Sequence, residues 1–228
     1  MLVAGGAGVL GACIVADALR RGARVFVPSR SRERIKRLRD EIDETVAANL
    51  TTIHEDVGSE HGVATVRDTI CSKVTSLNGV VASLGGWWEG EDLVNLSIET
   101  WRRILHDNLT SHYLVARTFL PILARSPGSV YVSMAGIAAT KPVAGSGPVS
   151  ITGAAQRMMT RVLVEEVGTA VRIHEIEVLH PVVTRLSESA TPDVPSVTGE
   201  DVGAFVTEVL LPRFGEREKT VLSIPAGT

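Results

Sequence analysis

The chain has 228 residues, of which 44% are hydrophobic and 21% charged, and its 23 basic and 26 acidic residues give a formal net charge of −3. This composition is typical of a folded globular protein and excludes an intrinsically disordered chain. The slight excess of acidic residues also argues against nucleic-acid binding, which requires a strongly basic face.

Membrane and metal-binding classes are also disfavoured. No apolar run approaches the roughly 18 residues that a membrane-spanning helix needs. The glycine-rich N-terminus lacks a basic leader, so we expect a cytoplasmic protein. Cys13 and Cys71 lie far apart in apolar, helix-like segments, which predicts two buried thiols in a reducing compartment. No cluster of cysteine and histidine has the spacing of metal ligands, so we predict no metal site.

Strand-like and helix-like segments alternate along the chain. The predicted strands are Leu2–Ala4, Arg24–Val27, Leu50–His54, Gly79–Ser83, Ser129–Ser133, Arg172–Leu179 and Thr220–Ile224. The predicted helices are Val9–Arg21, Arg32–Glu44, Glu60–Ser72, Ile98–Ala124, Pro148–Val167 and Glu200–Leu211. Strands separated by helices imply right-handed crossovers and a parallel sheet. We therefore predict an α/β fold: a single doubly wound Rossmann-type domain over residues 1–228, with about seven parallel strands and helices on both faces.

The first strand runs directly into a glycine-rich turn that opens the first helix. Gly5, Gly8 and Gly11 are spaced three apart, and glycine allows both a tight turn and a close approach of the backbone to a pyrophosphate. The helix start adds free N–H groups and the positive end of the helix dipole. This arrangement predicts a dinucleotide-binding site, which would include Leu10 of the same turn, rather than a purely structural turn.

The residues after the second and third strands indicate which dinucleotide is bound. No acidic residue that would hold the ribose hydroxyls of NAD lies between Val25 and Arg32, whereas Arg30 is placed to face a 2′-phosphate. We therefore predict NADP(H) as the preferred cofactor, with NAD as the alternative. Asp56 and Val57 follow the third strand, where Asp56 would either accept a hydrogen bond from the adenine amino group or act as an acid at a helix N-terminus.

These features resemble the short-chain dehydrogenase/reductase family over nearly the whole chain. The glycine spacing matches the GxxGxxG form of extended and atypical members, while Val9 replaces the middle glycine of the commoner GxxxGxG form. The family's Asn-Asn-Ala-Gly motif corresponds to Ala82-Ser-Leu-Gly85, which keeps only the glycine. The resemblance implies that Gly85 contacts the cofactor.

Two further segments resemble the family motifs that carry catalytic residues. The segment Trp101–Asn108 is similar to the one that ends in the catalytic asparagine, and Ser129–Gly136 is similar to the strand of the catalytic serine. The resemblance therefore implies catalytic roles for Asn108 and Ser133.

A third segment resembles the family's Pro-Gly-x-x-x-Thr motif, which contacts nicotinamide. In Leu179-His-Pro-Val-Val-Thr184 the threonine is retained, and His180 replaces the glycine. By resemblance, Thr184 would contact the cofactor. His180 would lie near the nicotinamide, where it would face the substrate or simply pack in the loop.

The family's Tyr-x-x-x-Lys pair is missing from this sequence. Alignment of the helix that follows Ser133 by Gly153-Ala-Ala places Val149 at the tyrosine position and Gly153 at the lysine position. Counting thirteen residues from Ser133 instead places Ser146 and Ser150 there. No tyrosine and only two lysines, Lys141 and Lys219, follow Ser133. The pair is therefore absent in any alignment.

Without this pair, carbonyl reduction needs another proton source, because the family's tyrosine protonates the developing oxyanion. Losing a general acid typically lowers the rate by about 10²–10⁴. Ser133 would still orient the carbonyl but is only weakly acidic. His180 is one candidate donor, and a hydroxylated substrate or water is another.

The loop that contains Trp87 and Trp88 favours an aromatic substrate. Two tryptophans at the mouth of a site would stack on a flat ring system, unless one of them anchors the loop on the core. Both are therefore predicted to bind substrate, together with His180.

Four helical residues receive other predictions. Tyr113 and Arg117 have the family's Tyr-to-Lys spacing but lie one helix too early, so we expect them to pack in the core or between helices. His112 is predicted to lie at a subunit interface rather than in the site. Arg157 would either replace part of the missing lysine charge near the cofactor or pack elsewhere.

The sequence therefore favours an atypical NADPH-dependent ketoreductase that acts on an aromatic or polycyclic ketone, with the proton supplied by substrate or water. The alternatives are a non-catalytic NAD(P)-binding protein, serving as a sensor or assembly partner, and a non-redox enzyme such as a cyclase or dehydratase. By resemblance, Ile98–Ala124 and Pro148–Val167 would form the interface of a homodimer or homotetramer.

Overall fold

A parallel sheet of seven strands forms the centre of the computed structural model, which describes residues 1–184, 195–211 and 218–224. Its strands are β1 Leu2–Ala4, β2 Val25–Pro28, β3 Leu50–Ile53, β4 Gly79–Ala82, β5 Val130–Gly136, β6 Arg172–Val178 and β9 Val221–Ser223. They lie in the order β3-β2-β1-β4-β5-β6-β9, and every neighbouring pair is parallel. This is the strand order of a doubly wound sheet, so the predicted fold class is confirmed.

All seven predicted strands are present, with small differences at their ends. The largest difference is in β5, which continues to Gly136, past the predicted end at Ser133. A short ladder between β7 Val182–Val183 and β8 Val197–Thr198 was not predicted. Two residues per strand are too few to produce a recognisable alternation in the sequence.

Helices cover both faces of this sheet. They are α1 Val9–Arg20, α2 Arg32–Glu41, α3 Glu44–Ala47, α4 Glu60–Lys73, α5 Ile98–Leu105, α6 Ser111–Leu123, α7 Gly147–Val167 and α8 Gly199–Leu210. The predicted long helix over Ile98–Ala124 is interrupted by a π-helical turn at His106–Thr110. Such turns are frequent at functional sites.

Two apolar layers join the helices to the sheet. On one face, Phe26 and Tyr131 pack with side chains of α4 and α6. On the other face, Val27 and Val132 pack with side chains of α1 and α8. Because both faces are covered, the strands are continuous apolar runs rather than alternating ones, and their carboxyl ends meet at one edge of the sheet.

The exposure of the two cysteines differs from the prediction that both thiols are buried. Cys71 is exposed and Cys13 is only partly buried, and the sulfur of Cys13 lies beside Gly199 of α8. No helix within the described ranges combines the length and apolarity needed to cross a bilayer.

Candidate functional site

The turn between β1 and α1 forms a cradle that requires glycine at two positions. Gly5 has a φ of +83°, and a Cβ atom there would overlap the carbonyl oxygen of Ser83. A Cβ atom at Gly11 would likewise overlap the carbonyl oxygen of Gly5. These contacts explain the glycines at both positions and bring the turn against the end of β4.

The N-terminus of α1 is left open toward this cradle. Its N-cap residue is Gly8, which supplies no side-chain cap, and the first turn contains no acidic residue. By contrast, Ser31 and Ser59 cap α2 and α4 with their hydroxyl groups. The first N–H groups of α1 therefore remain available for an anion, which the helix dipole also favours.

Two cavities meet at this cradle. The first, called here the Arg30 cavity, has a volume of about 460 Å³. Of the predicted site residues, it is lined by Gly5, Gly8, Arg30, Asp56, Val57, Gly85, Trp87, Trp88 and Asn108. The second, called here the Val149 cavity, has a volume of about 660 Å³. Of the predicted site residues, it is lined by Gly5, Gly8, Leu10, Gly11, Gly85, Trp87 and Asn108.

The guanidinium group of Arg30 is held inside the first cavity by carboxylates. Arg30 Nη1 donates to Asp107 Oδ1 at 3.0 Å, and Nη2 donates to Asp107 Oδ2 at 3.2 Å. Arg30 Nη1 also lies 4.0 Å from Asp56 Oδ2. Burial opposes ionisation of Asp107, but hydrogen bonds from Arg30 and His106 outweigh it, so the pKa of this carboxyl lies below its usual range.

Asp56 and Val57 border the same cavity. Asp56 Oδ1 accepts a hydrogen bond from the backbone N–H of Gly58 at 2.8 Å, so this carboxylate organises the turn before α4. Val57 is buried and forms part of the cavity wall. The structure thus places both residues in the wall of the Arg30 cavity, and their contact with adenine stays a prediction.

Asn108 lies on the π-helical turn and holds the loop after β4. Its Oδ1 accepts from the backbone N–H of Gly86 at 3.1 Å, and its Nδ2 donates to the carbonyl oxygen of Gly86 at 3.1 Å. The side-chain amide is therefore used to position the start of the tryptophan loop. The π-helical turn itself was missed in the sequence, because its apolar pattern continues that of the flanking helices.

The two tryptophans have different environments. Trp87 is 58% exposed and lines both cavities. The indole of Trp88 lies against Gly90, where a Cβ atom would approach to 2.8 Å. Trp88 therefore stabilises its own loop, while Trp87 stands at the junction of the two cavities.

Ser133 is held below the Val149 cavity rather than in it. Its side chain is 1% exposed, and its Oγ accepts a hydrogen bond from Gln156 Nε2 at 2.8 Å. The cavity is instead lined by Ala135, two residues further along the same face of β5. The role of Ser133 in orienting a substrate carbonyl stays a prediction.

The positions aligned with the family's tyrosine and lysine form an apolar wall. Val149 and Gly153 both line the Val149 cavity. A Cβ atom at Gly153 would lie 3.0 Å from Cα of Ala139, so the 3₁₀ turn Ile137–Ala139 fills the space where a longer side chain would begin.

Arg157 does not supply the missing charge. Its Nη2 lies 2.7 Å from Glu177 Oε1, and its Nε lies 3.3 Å from Glu175 Oε1. Both glutamates are buried on β6, so the arginine turns away from the cavities. Burial, the largest cause, raises the pKa of Glu175.

His112 and Tyr113 also differ from expectation. His112 is fully buried within the chain, not at its surface, and its Nε2 lies 3.2 Å from the carbonyl oxygen of Leu84. Burial lowers the pKa of His112 to about 4. The side chain of Tyr113 is 51% exposed on α6, so it does not pack in the core of this chain.

His180 and Thr184 lie beyond the two cavities in the described part of the chain. The methyl carbon of Thr184 is near Gly199, where a Cβ atom would approach to 2.9 Å. Their contacts with substrate and nicotinamide stay predictions.

Comparisons with known proteins identify the family of the chain. The model of the short chain dehydrogenase family matches residues 1–194. The chain is 27% identical over 179 residues to a Streptomyces violaceoruber protein assigned as ketoacyl reductase 2 of a granaticin polyketide synthase, covering 77% of this chain and 70% of that one. It is 25% identical over 179 residues to the NADP-dependent 3-hydroxy acid dehydrogenase YdfG of Escherichia coli K12, covering 78% and 70%.

Solved structures show the same fold. ElxO with bound NADP superimposes with a TM-score of 0.85 at 19% identity, covering 98% of this chain and 95% of that chain. A short-chain type dehydrogenase/reductase from Mycobacterium ulcerans superimposes with a TM-score of 0.87 at 24% identity, covering 98% and 86%.

Proposed function

Because this chain belongs to the short-chain dehydrogenase family, we propose that it is an NADP(H)-dependent oxidoreductase that acts on an aromatic or polycyclic carbonyl compound. The observation that carries the proposal is the glycine cradle at the open N-terminus of α1, which has the two cavities on either side. A pyrophosphate would lie on the N–H groups after Gly8, close to the backbone of Gly5 and Gly11.

The Arg30 cavity supports NADP(H) as the cofactor. Arg30 and Arg34 both line it, and a guanidinium group binds a 2′-phosphate through its planar fork of donors. The E. coli relative named above is NADP-dependent by name. Asp56 and Val57 would contact the adenine in the same cavity, with NAD as the alternative cofactor.

The Val149 cavity supports an apolar, ring-bearing substrate. When bound, the nicotinamide of NADP(H) supplies or accepts a hydride. The wall formed by β5 and α7 consists mainly of small and apolar residues such as Ala135, Val149 and Gly153. Trp87 at its entrance offers a flat face for stacking. Because this wall contains no ionisable side chain among the described residues, the proton would come from the substrate or from water.

Two observations favour a second function, that of a nucleotide-binding protein without turnover. The 3₁₀ turn against Gly153 fills the beginning of the family's lysine position, and Ser133 is withdrawn from the cavity. A sensor or assembly partner would need the cofactor cradle but neither of these catalytic groups.

Cofactor titration followed by turnover assays separates these functions. We expect NADPH to bind below millimolar concentration, and at least one hydroxylated aromatic ketone in a panel to oxidise bound NADPH. Binding without turnover across the panel supports the second function. No binding of either cofactor contradicts both functions and favours a non-redox enzyme.

We also propose that copies of this chain associate through α6 and α7. Tyr113 on α6 and Ile151, Met158 and Val162 on α7 are between 41% and 56% exposed although they are large and apolar. Light scattering should show a dimer or tetramer, and Met158→Glu should shift it toward monomer. The cytoplasmic location stays a prediction.

A further inference from the structure

We propose that Asp107 limits the preference of this chain for NADP(H) by occupying the guanidinium group of Arg30, an inference that rests on the proposed NADP(H) site. Both η nitrogens of Arg30 donate to Asp107, at 3.0 and 3.2 Å. This two-point geometry is the one that a guanidinium group also uses for a phosphate. The pair joins the β2–α2 connection to the π-helical turn, and both residues line the Arg30 cavity.

A 2′-phosphate competes with the Asp107 carboxylate for the guanidinium group, of whose five N–H donors Asp107 uses two. It brings close to two negative charges at neutral pH into a cavity that holds Asp56 and Asp107 beside Arg30, with Asp56 Oδ2 at 4.0 Å from Nη1. The phosphate therefore has to displace the Asp107 carboxylate or accept its repulsion. Arg34 lines the same cavity and offsets part of this repulsion.

A ribose that carries a free 2′-hydroxyl meets no such competition. The hydroxyl is neutral, and it donates to a carboxylate such as that of Asp107 without breaking the ion pair with Arg30. Asp107 consequently weakens NADPH binding while leaving NADH binding nearly unchanged. The side chains of Arg30 and Asp107 are 59% and 27% exposed, so water screens the competition and limits its size.

Asp107→Asn tests this role because it keeps the shape of the side chain and removes its charge. Titrations of the full-length protein with NADPH and with NADH at low ionic strength give the two affinities. We expect the NADPH affinity to rise about tenfold and the NADH affinity to stay within about twofold. Asp107→Ser provides a second variant if the first does not fold.

A double variant shows whether the effect passes through Arg30. In an Arg30→Ala background the competition for the guanidinium group is gone and only the direct repulsion between the Asp107 carboxylate and the 2′-phosphate remains, so Asp107→Asn should change the NADPH affinity by a different factor than it does in the presence of Arg30. Asp68→Asn serves as the matched control, since Asp68 accepts from Arg67 Nε at 2.8 Å on the exposed face of α4, outside both cavities. It should leave both affinities unchanged.

Three results overturn the proposal: equal changes for both cofactors, a selective loss of NADPH affinity, or an unchanged effect of Asp107→Asn in the Arg30→Ala background. The failure of the proposed function looks different, because the wild-type protein would then bind neither cofactor. If the wild-type protein binds NADPH and Asp107→Asn leaves the ratio of the NADPH and NADH affinities unaltered, only the role of Asp107 is overturned.

Discussion

Gln156 donates to Ser133 through a buried 2.8 Å hydrogen bond, and the other bond of the same amide nitrogen goes to the carbonyl oxygen of Met134, also at 2.8 Å. The side-chain amide thus joins α7 to β5 at the wall of the Val149 cavity, which Gln156 lines. It gives the retained serine a structural role.

Ser133→Ala should therefore destabilise the fold without weakening the binding of NADPH. The change leaves one buried N–H of Gln156 without an acceptor, which costs about 1–3 kcal/mol. Urea unfolding measures the loss, and NADPH titration should be unchanged. Ser72→Ala is the control, because its hydroxyl donates to Thr69 on the exposed face of α4. If Ser133→Ala lost turnover but kept the stability of the wild type, Ser133 would have a direct role in the reaction.

Gly8→Asp should abolish NADPH binding while the protein stays folded. Aspartate is a favourable N-cap residue, so its carboxylate would occupy the N–H groups of α1 and repel the pyrophosphate. Gly8→Ala isolates the charge, since its Cβ atom meets only the carbonyl oxygen of Gly5 at 3.2 Å. Cofactor titration should show no binding for the first variant and a loss below about tenfold for the second. If Gly8→Asp bound NADPH with wild-type affinity, the glycine cradle would not be the pyrophosphate site.

Arg30→Ala should weaken the binding of NADPH far more than the binding of NADH. The lost charge-assisted hydrogen bonds correspond to at least about tenfold in NADPH affinity. Arg32→Ala is a suitable control, because Arg32 starts α2 on the solvent side and lines neither cavity. Equal losses of both cofactors would contradict a 2′-phosphate contact.

Gly153→Lys should not restore the family's chemistry. Its Cβ atom would lie 3.0 Å from Cα of Ala139 and 3.2 Å from the backbone nitrogen of the same residue, and overpacking of this kind costs about 1–3 kcal/mol. Glu166→Lys adds the same side chain on the exposed part of α7 and should be neutral by comparison. A stable Gly153→Lys variant with raised turnover would contradict this expectation and show that the 3₁₀ turn moves to accommodate the lysine side chain.

His112 should make the fold sensitive to acid. Its folded pKa of about 4 lies below the ordinary value of 6.5, so the folded protein binds fewer protons than the unfolded chain between these values. The contribution of neutral His112 to the free energy of unfolding is fully present above pH 6.5. It is lost as the pH falls toward 4, by on the order of 3 kcal/mol. Unfolding free energies across this range measure the loss.

His112→Gln should flatten that pH profile, because glutamine keeps a donor for the carbonyl oxygen of Leu84 but does not titrate. His61→Gln, on the exposed face of α4, should leave the profile unchanged. An identical acid response in His112→Gln and the wild type would assign the sensitivity to other groups.

The sequence by itself determined the order and type of the main elements, the glycine turn and the missing tyrosine and lysine. These features are local: an apolar run, a glycine spacing and a residue count do not depend on distant partners. The tertiary structure decided the rest. Arg30 meets Asp107 across 77 positions of sequence, and Ser133 meets Gln156 across 23. The hydrogen bond between Ser133 and Gln156 forms only when α7 packs against β5, so the sequence pattern could not reveal it.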